Sequence, residues 1–174
     1  LKVDAASKLI DTSSLTKVVK NMDGFLPQPK APLFKLAYVQ IYCRPQPNGG
    51  TDKTTSGCRY DSSAFVNGMI MNNMSCQIVH YLHEEHDKFF EIMAKFDAII
   101  VRCNPGQIKA DGGSQEKFDD AMRALQKTGK EVWPSPDVME FMGAKDALTK
   151  IADMSSGLPD TLSYYEEDAF IAGF

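Results

Sequence analysis

The sequence predicts an α/β fold in three layers, with a mainly parallel four-strand sheet between two layers of helices. Short apolar segments alternate with amphipathic helical segments, and their connections are too long for hairpins. The apolar segments lack polar alternation, which indicates a sheet that is covered on both faces. Right-handed crossovers between successive strands then favour the strand order 2-1-3-4.

Each element has its own signal in the sequence. Residues 36–43, rich in β-branched and aromatic side chains, are typical of a buried strand. Asp87 can cap one helix, and Ser114 and Gly129 can begin and end another, whose apolar residues recur at i, i+3, i+4 and i+7. The remaining predicted strands are 76–81, 98–103 and 131–133, and a helix is predicted at 62–73.

Two segments do not belong to this alternation. Residues 1–32 are predicted to form an N-terminal arm with a proline-rich linker, outside the sheet, because apolar residues at roughly helical spacing in 1–22 are followed by Gly24 and three prolines. Residues 44–60 form a polar loop of a length that is usually functional or mobile. The α/β domain itself is expected to span 33–161.

Composition excludes several classes of protein. A chain of 174 residues suits one domain. Its formal charge of −4, from 19 basic and 23 acidic residues, argues against a nucleic-acid partner. No apolar run approaches a transmembrane length. The four cysteines form no CxxC motif, which favours a reducing compartment, the cytoplasm or the interior of an organelle. A first residue other than Met indicates processing or truncation.

Ligands of open parallel sheets bind beyond the carboxyl ends of the strands, and two groups of residues there are candidates for a substrate site. Arg102 and Asn104 lie at the carboxyl end of the predicted third strand, and Gly113 and Ser114 open the next helix. They could orient a carboxylate or phosphate, since the first N–H groups of a helix are free to meet an anion. The alternative is an ordinary turn at 104–106 with Ser114 as an N-cap.

Two other patterns favour structural roles. All three histidines lie within residues 80–86, but their spacing is not HExxH and spans a strand end and a loop, so we predict no metal site. Asp61, Ser62 and Ser63 precede a helix without an evident base to activate a nucleophile. Helix capping is the expected role of this group.

Residues 133–161 carry a resemblance to a known superfamily. A strand is followed by a helix at Pro136–Met142, a Gly-x-Lys break at 143–145, a second helix at 146–154 and the Gly-Leu-Pro of 157–159. This order resembles the segment that closes the pre-ATP-grasp, Rossmann-like domain of ATP-grasp proteins such as biotin carboxylase-like members. The strand ending in Arg-x-Asn-Pro-Gly, before a Gly-Gly-Ser-Gln-Glu-Lys-Phe-Asp helix, is similar to an uncharacterised ATP-grasp group.

The resemblance implies a ligase that joins a carboxylate to an amine or thiol with ATP and Mg²⁺. Lys145 would contact the nucleotide, and the domain would hold the carboxylate or acceptor near Arg102 and Asn104. Ala144 departs from the family, in which many members have Asp. The nucleotide-binding domains would begin in residues 162–174 or beyond, so this chain alone is not expected to be catalytic or to hold ATP.

The alternative is a non-enzymatic accessory subunit that uses the α/β domain to dock on a larger complex. Its partner would be another protein, or the missing C-terminal ATP-grasp domain. The apolar residues of the C-terminal tail would make that contact.

Overall fold

The computed structural model describes residues 9–17, 19, 23–104, 106–142 and 147–173. The chain divides into two compact units, residues 1–136 and 137–174. Within the described residues, no helix is long and apolar enough to cross a membrane.

The first unit contains the predicted sheet. The order is β2-β1-β3-β4 and every pairing is parallel, which confirms the predicted architecture. In register, Val39 of β1 lies between Val79 of β2 and Val101 of β3. The strands are β1 (Lys35–Ile41), β2 (Ser75–Tyr81), β3 (Ala98–Val101) and β4 (Glu131–Trp133).

Helices cover both faces of the sheet. In β1, Ala37, Val39 and Ile41 face one layer, whereas Leu36 and Tyr38 face the other, as the period of two in a strand requires. The first layer contains α2 (His86–Met93) and α4 (Gln115–Lys127), and the second contains α1 (Ser62–Met71). A short helix, α3 (Gln107–Ala110), follows β3. Two buried faces explain why the central strands, β1 and β3, are mostly apolar.

The N-terminal arm packs on the sheet rather than standing apart from it. Leu15 is buried in the core on the side of α2 and α4, and Val19 is buried in the core on the side of α1. Gln28 donates to the backbone oxygen of Cys76 at 2.6 Å and accepts from its N–H at 2.9 Å. Residues 9–17 contain a turn and a bend but no helix, so the helical spacing of apolar residues was misleading there. Burial against the sheet outweighs the local preference.

The loop 44–60 is a folded element. It contains a 3₁₀ turn at Pro47–Gly49 and an antiparallel bridge between Lys53 and Arg59. Gly49 has a φ of 83° and lies directly against the ring of Tyr42, where no side chain would fit. The thiol of Cys58 is buried in the core on the α1 side. These contacts anchor loop 44–60, whose length predicts function or mobility, to the rest of the first unit.

The second unit is helical. It contains most of α5 (Pro136–Met142), then α6 (Ala147–Lys150) and α7 (Glu167–Ala172), so the predicted second helix ends at Lys150 rather than at Met154. A small apolar groove of about 100 Å³ is lined by residues of 148–161. A Cβ on Gly157 would collide with the carbonyl oxygen of Ile151, so only glycine fits there.

Candidate functional site

Polar side chains from two connections meet beyond the carboxyl ends of β1 and β3. Asp52 of loop 44–60 accepts hydrogen bonds from Asn104 Nδ2 at 3.1 Å and Gln107 Nε2 at 3.2 Å. Lys53 Nζ donates to the same carboxylate at 3.0 Å, and Arg59 also binds it. Parallel strands bring these connections together because their carboxyl ends share one edge of the sheet.

A second carboxylate extends this cluster. Asp61 accepts hydrogen bonds from the guanidinium of Arg102, from Arg59 Nε at 3.3 Å and from the hydroxyl of Tyr38 at 3.3 Å. Arg59 therefore bridges the carboxylates of Asp52 and Asp61. We call the set of Asp52, Lys53, Arg59, Asp61, Arg102 and Asn104 the strand-end cluster.

A neighbouring cluster ties three strand-end connections together. The carboxylate of Asp111, almost fully buried, accepts from the backbone N–H of Arg44 at 2.8 Å and from its Nε at 3.0 Å. Nδ1 of His83 lies 3.0 Å from the other oxygen of Asp111. Glu84 adds an ion pair of 2.7 Å to Arg44. This arrangement fixes the start of loop 44–60 against α3 and the end of β2.

The carboxylates of both clusters are held ionised. Burial raises the pKa of Asp52, Asp61 and Asp111, but hydrogen bonds and neighbouring charges outweigh this effect. The strongest opposing partner is Lys53 for Asp52, Arg102 for Asp61 and Arg44 for Asp111. Each pKa therefore lies below its ordinary value of 3.8. The chain uses these cations to hold its own carboxylates.

The predicted substrate residues are divided: two belong to the strand-end cluster, one lies beside the neighbouring cluster, and one belongs to neither. Arg102 and Asn104 belong to the strand-end cluster. Gly113 lies against His83, where a Cβ would come within 2.5 Å of the histidine Cβ. Ser114 Oγ accepts from the backbone N–H of Lys117 at 3.1 Å, which is the N-cap role considered as the alternative. Lys145, the predicted nucleotide contact, lies outside the described residues.

The three histidines diverge. His83 binds Asp111, and Nδ1 of His86 lies 2.9 Å from the hydroxyl of Tyr81. His80 is buried beside the ring of Tyr42, and its Nδ1 has no hydrogen-bond partner among the described residues. Burial, with the charges of nearby lysines, lowers the pKa of His80 to about 4. Across the described part of the chain, no group of three or more histidine, cysteine or acidic side chains is placed to hold a metal.

Sequence reasoning missed most members of the strand-end cluster. The side chain of Lys53 is fully buried and pairs with Asp52. Lysine is seldom fully buried, and then only with such a partner. Asp61 was expected to cap α1, yet it occupies the N-cap position without a capping hydrogen bond from its side chain. The usable signal was the concentration of charged residues of both signs between Asp52 and Asp61 in a glycine-containing strand-end loop.

Comparisons with known proteins identify no relative: no protein family, no curated protein and no solved structure matches the chain.

Proposed function

We propose that the first unit binds a carboxylate-bearing small molecule, as the substrate-side domain of an ATP-grasp type ligase that joins a carboxylate to an amine or thiol. The observation that carries the binding step is the strand-end cluster. Arg102 and Asn104 already donate hydrogen bonds to carboxylates, those of Asp61 and Asp52. Guanidinium and amide groups held at the end of a parallel sheet suit a ligand that also carries a carboxylate.

Support for the ligase class comes from residues 131–161. The strand β4 is followed by α5, which ends at Met142, and by α6, which begins at Ala147. The order of a strand and two helices agrees with the resemblance, whereas its Gly-x-Lys break, with Lys145, lies outside the described residues. ATP and Mg²⁺ enter the proposal through this resemblance alone.

The binding step can be tested with succinate as the probe. We expect isothermal titration calorimetry at constant ionic strength to detect succinate binding to the wild-type chain. The variant Arg102→Ala should weaken it at least tenfold, because a lost charge-assisted contact costs about 1.5 kcal/mol or more. Arg123→Ala is the matched control, since Arg123 pairs with Asp120 on α4, away from the strand ends.

Two results would refute the carboxylate site. One is the absence of succinate binding both in the wild-type chain and in the variant Asp61→Asn, which removes the carboxylate charge paired with Arg102. The other is binding that Arg102→Ala and Arg123→Ala weaken equally, because the effect would then come from net charge alone.

A specific observation favours the second candidate function, a docking module. In the second unit, large apolar side chains are exposed, including Phe141, Leu158, Leu162, Tyr165 and Ile171, each more than 60% exposed. Apolar groups concentrated in this way are typical of a protein contact surface. The partner would be a further domain or another chain.

A further inference from the structure

The position of Asp61 is unusual for an aspartate that begins a helix. Aspartate is among the preferred N-cap residues because its carboxylate accepts N–H bonds from the first turn. In α1, however, Asp61 has helical backbone angles, φ −88° and ψ −3°, and makes no such bond with its side chain. Its carboxylate instead contacts Arg102, Arg59 and Tyr38.

These contacts form a carboxylate-binding position that is filled from within the chain. Three donors converge on one carboxylate, which is the arrangement that the proposed function requires for a ligand. The side chain of Asp61 is 40% exposed, whereas that of Asp52 is only 15% exposed and lies among more partners. Of the two carboxylates in the strand-end cluster, Asp61 is therefore the one that can leave at lower cost.

Asp61 also has an alternative position within reach. The N–H groups of Ser63 and Ala64 are those that an N-cap side chain binds in a helix beginning at Ser62. A change of the Asp61 backbone to extended angles would turn its carboxylate towards these groups, where the helix dipole favours negative charge. The carboxylate would thus exchange one set of donors for another.

We infer that Asp61 is an internal occupant of the ligand position and that a carboxylate ligand binds Arg102 by displacing it. The inference rests on the proposed carboxylate site and adds a regulated step to it. With the ligand absent, Asp61 keeps Arg102 neutralised and in place. When the ligand carboxylate takes the guanidinium, Asp61 caps α1.

The experiment compares succinate affinity in variants of Asp61, by calorimetry at constant ionic strength. Asp61→Asn and Asp61→Ser both keep the ability to cap α1 and remove the charge that competes for Arg102. We expect each to bind succinate about fivefold more tightly than the wild-type chain. Asp120→Asn, which removes an exposed carboxylate paired with Arg123 on α4, is the matched control and should leave the affinity unchanged.

A double variant assigns the effect. Adding Arg102→Ala to Asp61→Asn should abolish the gain, because the released guanidinium is its source. Binding by Asp61→Asn that the wild-type chain lacks would also support the exchange. Thermal midpoints measured beside the affinities establish that each variant is folded.

The outcomes separate the inference from the proposed function. If wild-type binding depends on Arg102 but neither Asp61 variant tightens it, the exchange is refuted and the carboxylate site stands. If Asp120→Asn tightens binding as much as Asp61→Asn, net charge explains the gain and the exchange is again refuted. If no chain binds succinate, both fail.

Discussion

His80 is a neutral histidine in a buried, polar part of the first unit. It follows Val79 in β2 and pairs in register with Gln40, whose side-chain oxygen accepts from the backbone N–H of Arg59 at 3.2 Å. Lys53 and Lys17 lie close enough for their charges to oppose protonation of the ring. A protonated His80 would therefore meet two like charges and a desolvated environment.

This placement predicts a loss of stability in mild acid. The pKa of His80 is about 4 in the folded chain, below its ordinary value of 6.5. Because the folded pKa is the lower one, the stabilising contribution is fully present above pH 6.5 and is lost as the pH falls towards 4. The unfolding free energy should fall by on the order of 1 to 3 kcal/mol across this range.

The measurement is urea unfolding at pH 7 and pH 4.5 for the wild-type chain and His80→Gln. The variant should lose less stability between these two pH values because it has no group to protonate at this position. The ring resonance of His80 should titrate with a midpoint of about 4 in NMR spectra. An equal loss in both chains, or a midpoint near 6.5, would contradict the prediction.

At the scale of elements, local sequence chemistry was informative where contacts are local. Ser114 caps α4 as predicted, and β4 has the predicted limits. β1 and β3 end earlier than predicted. The last pair of β3 with β1 is Val101 with Val39, and β1 continues only as far as Ile41, which pairs with Tyr81 of β2.

The cluster residues could not be predicted because they depend on distant contacts. Asp52 meets Asn104 across more than fifty positions of sequence, and the burial of Lys53 depends on how loop 44–60 folds above the sheet. Only the general location of the site, the carboxyl ends of the strands, follows from the fold class. Arg102 and Asn104 were singled out in the sequence because they lie at the end of a predicted strand.

The C-terminal element provides a test of the docking module. The helix α7 has no buried residue, and Tyr164 packs on Phe170 of the same segment, with ring centroids 5.7 Å apart. Deleting residues 162–174 should therefore leave the thermal midpoint nearly unchanged. It should also abolish the concentration-dependent association that we expect of the full chain in sedimentation velocity.

A second variant keeps all 174 residues and carries polar changes at two exposed positions, Tyr165→Ser and Ile171→Ser. It should lose association as the deletion does. Unfolding of the shortened chain would show that the tail belongs to the core. Unchanged association would place the contact elsewhere.

For the whole molecule, the proposed function predicts weak ATP binding or none by this chain, and no ATP hydrolysis. Lys145 is the single nucleotide contact that the resemblance assigns within it. A lone lysine leaves the phosphates in water, where a charge contact is worth only about 1 kcal/mol. Calorimetry with ATP and Mg²⁺ measures this, with Lys127→Ala on α4 as the control for Lys145→Ala. Micromolar affinity that only Lys145→Ala removes would contradict a non-catalytic chain.

The contact between Gln28 and Cys76 has a consequence for how the molecule behaves at high concentration. β2 is an edge strand, and the amide of Gln28 satisfies both backbone groups of Cys76 on the side away from β1. Nearby, the side chain of Gln77 binds the backbone of Ile10 through both of its amide atoms. A strand from a second molecule would have to displace this arm before it could extend the sheet. The segment that precedes β1 thus protects the longer edge against aggregation, and the opposite edge, β4, offers only three residues to a foreign strand.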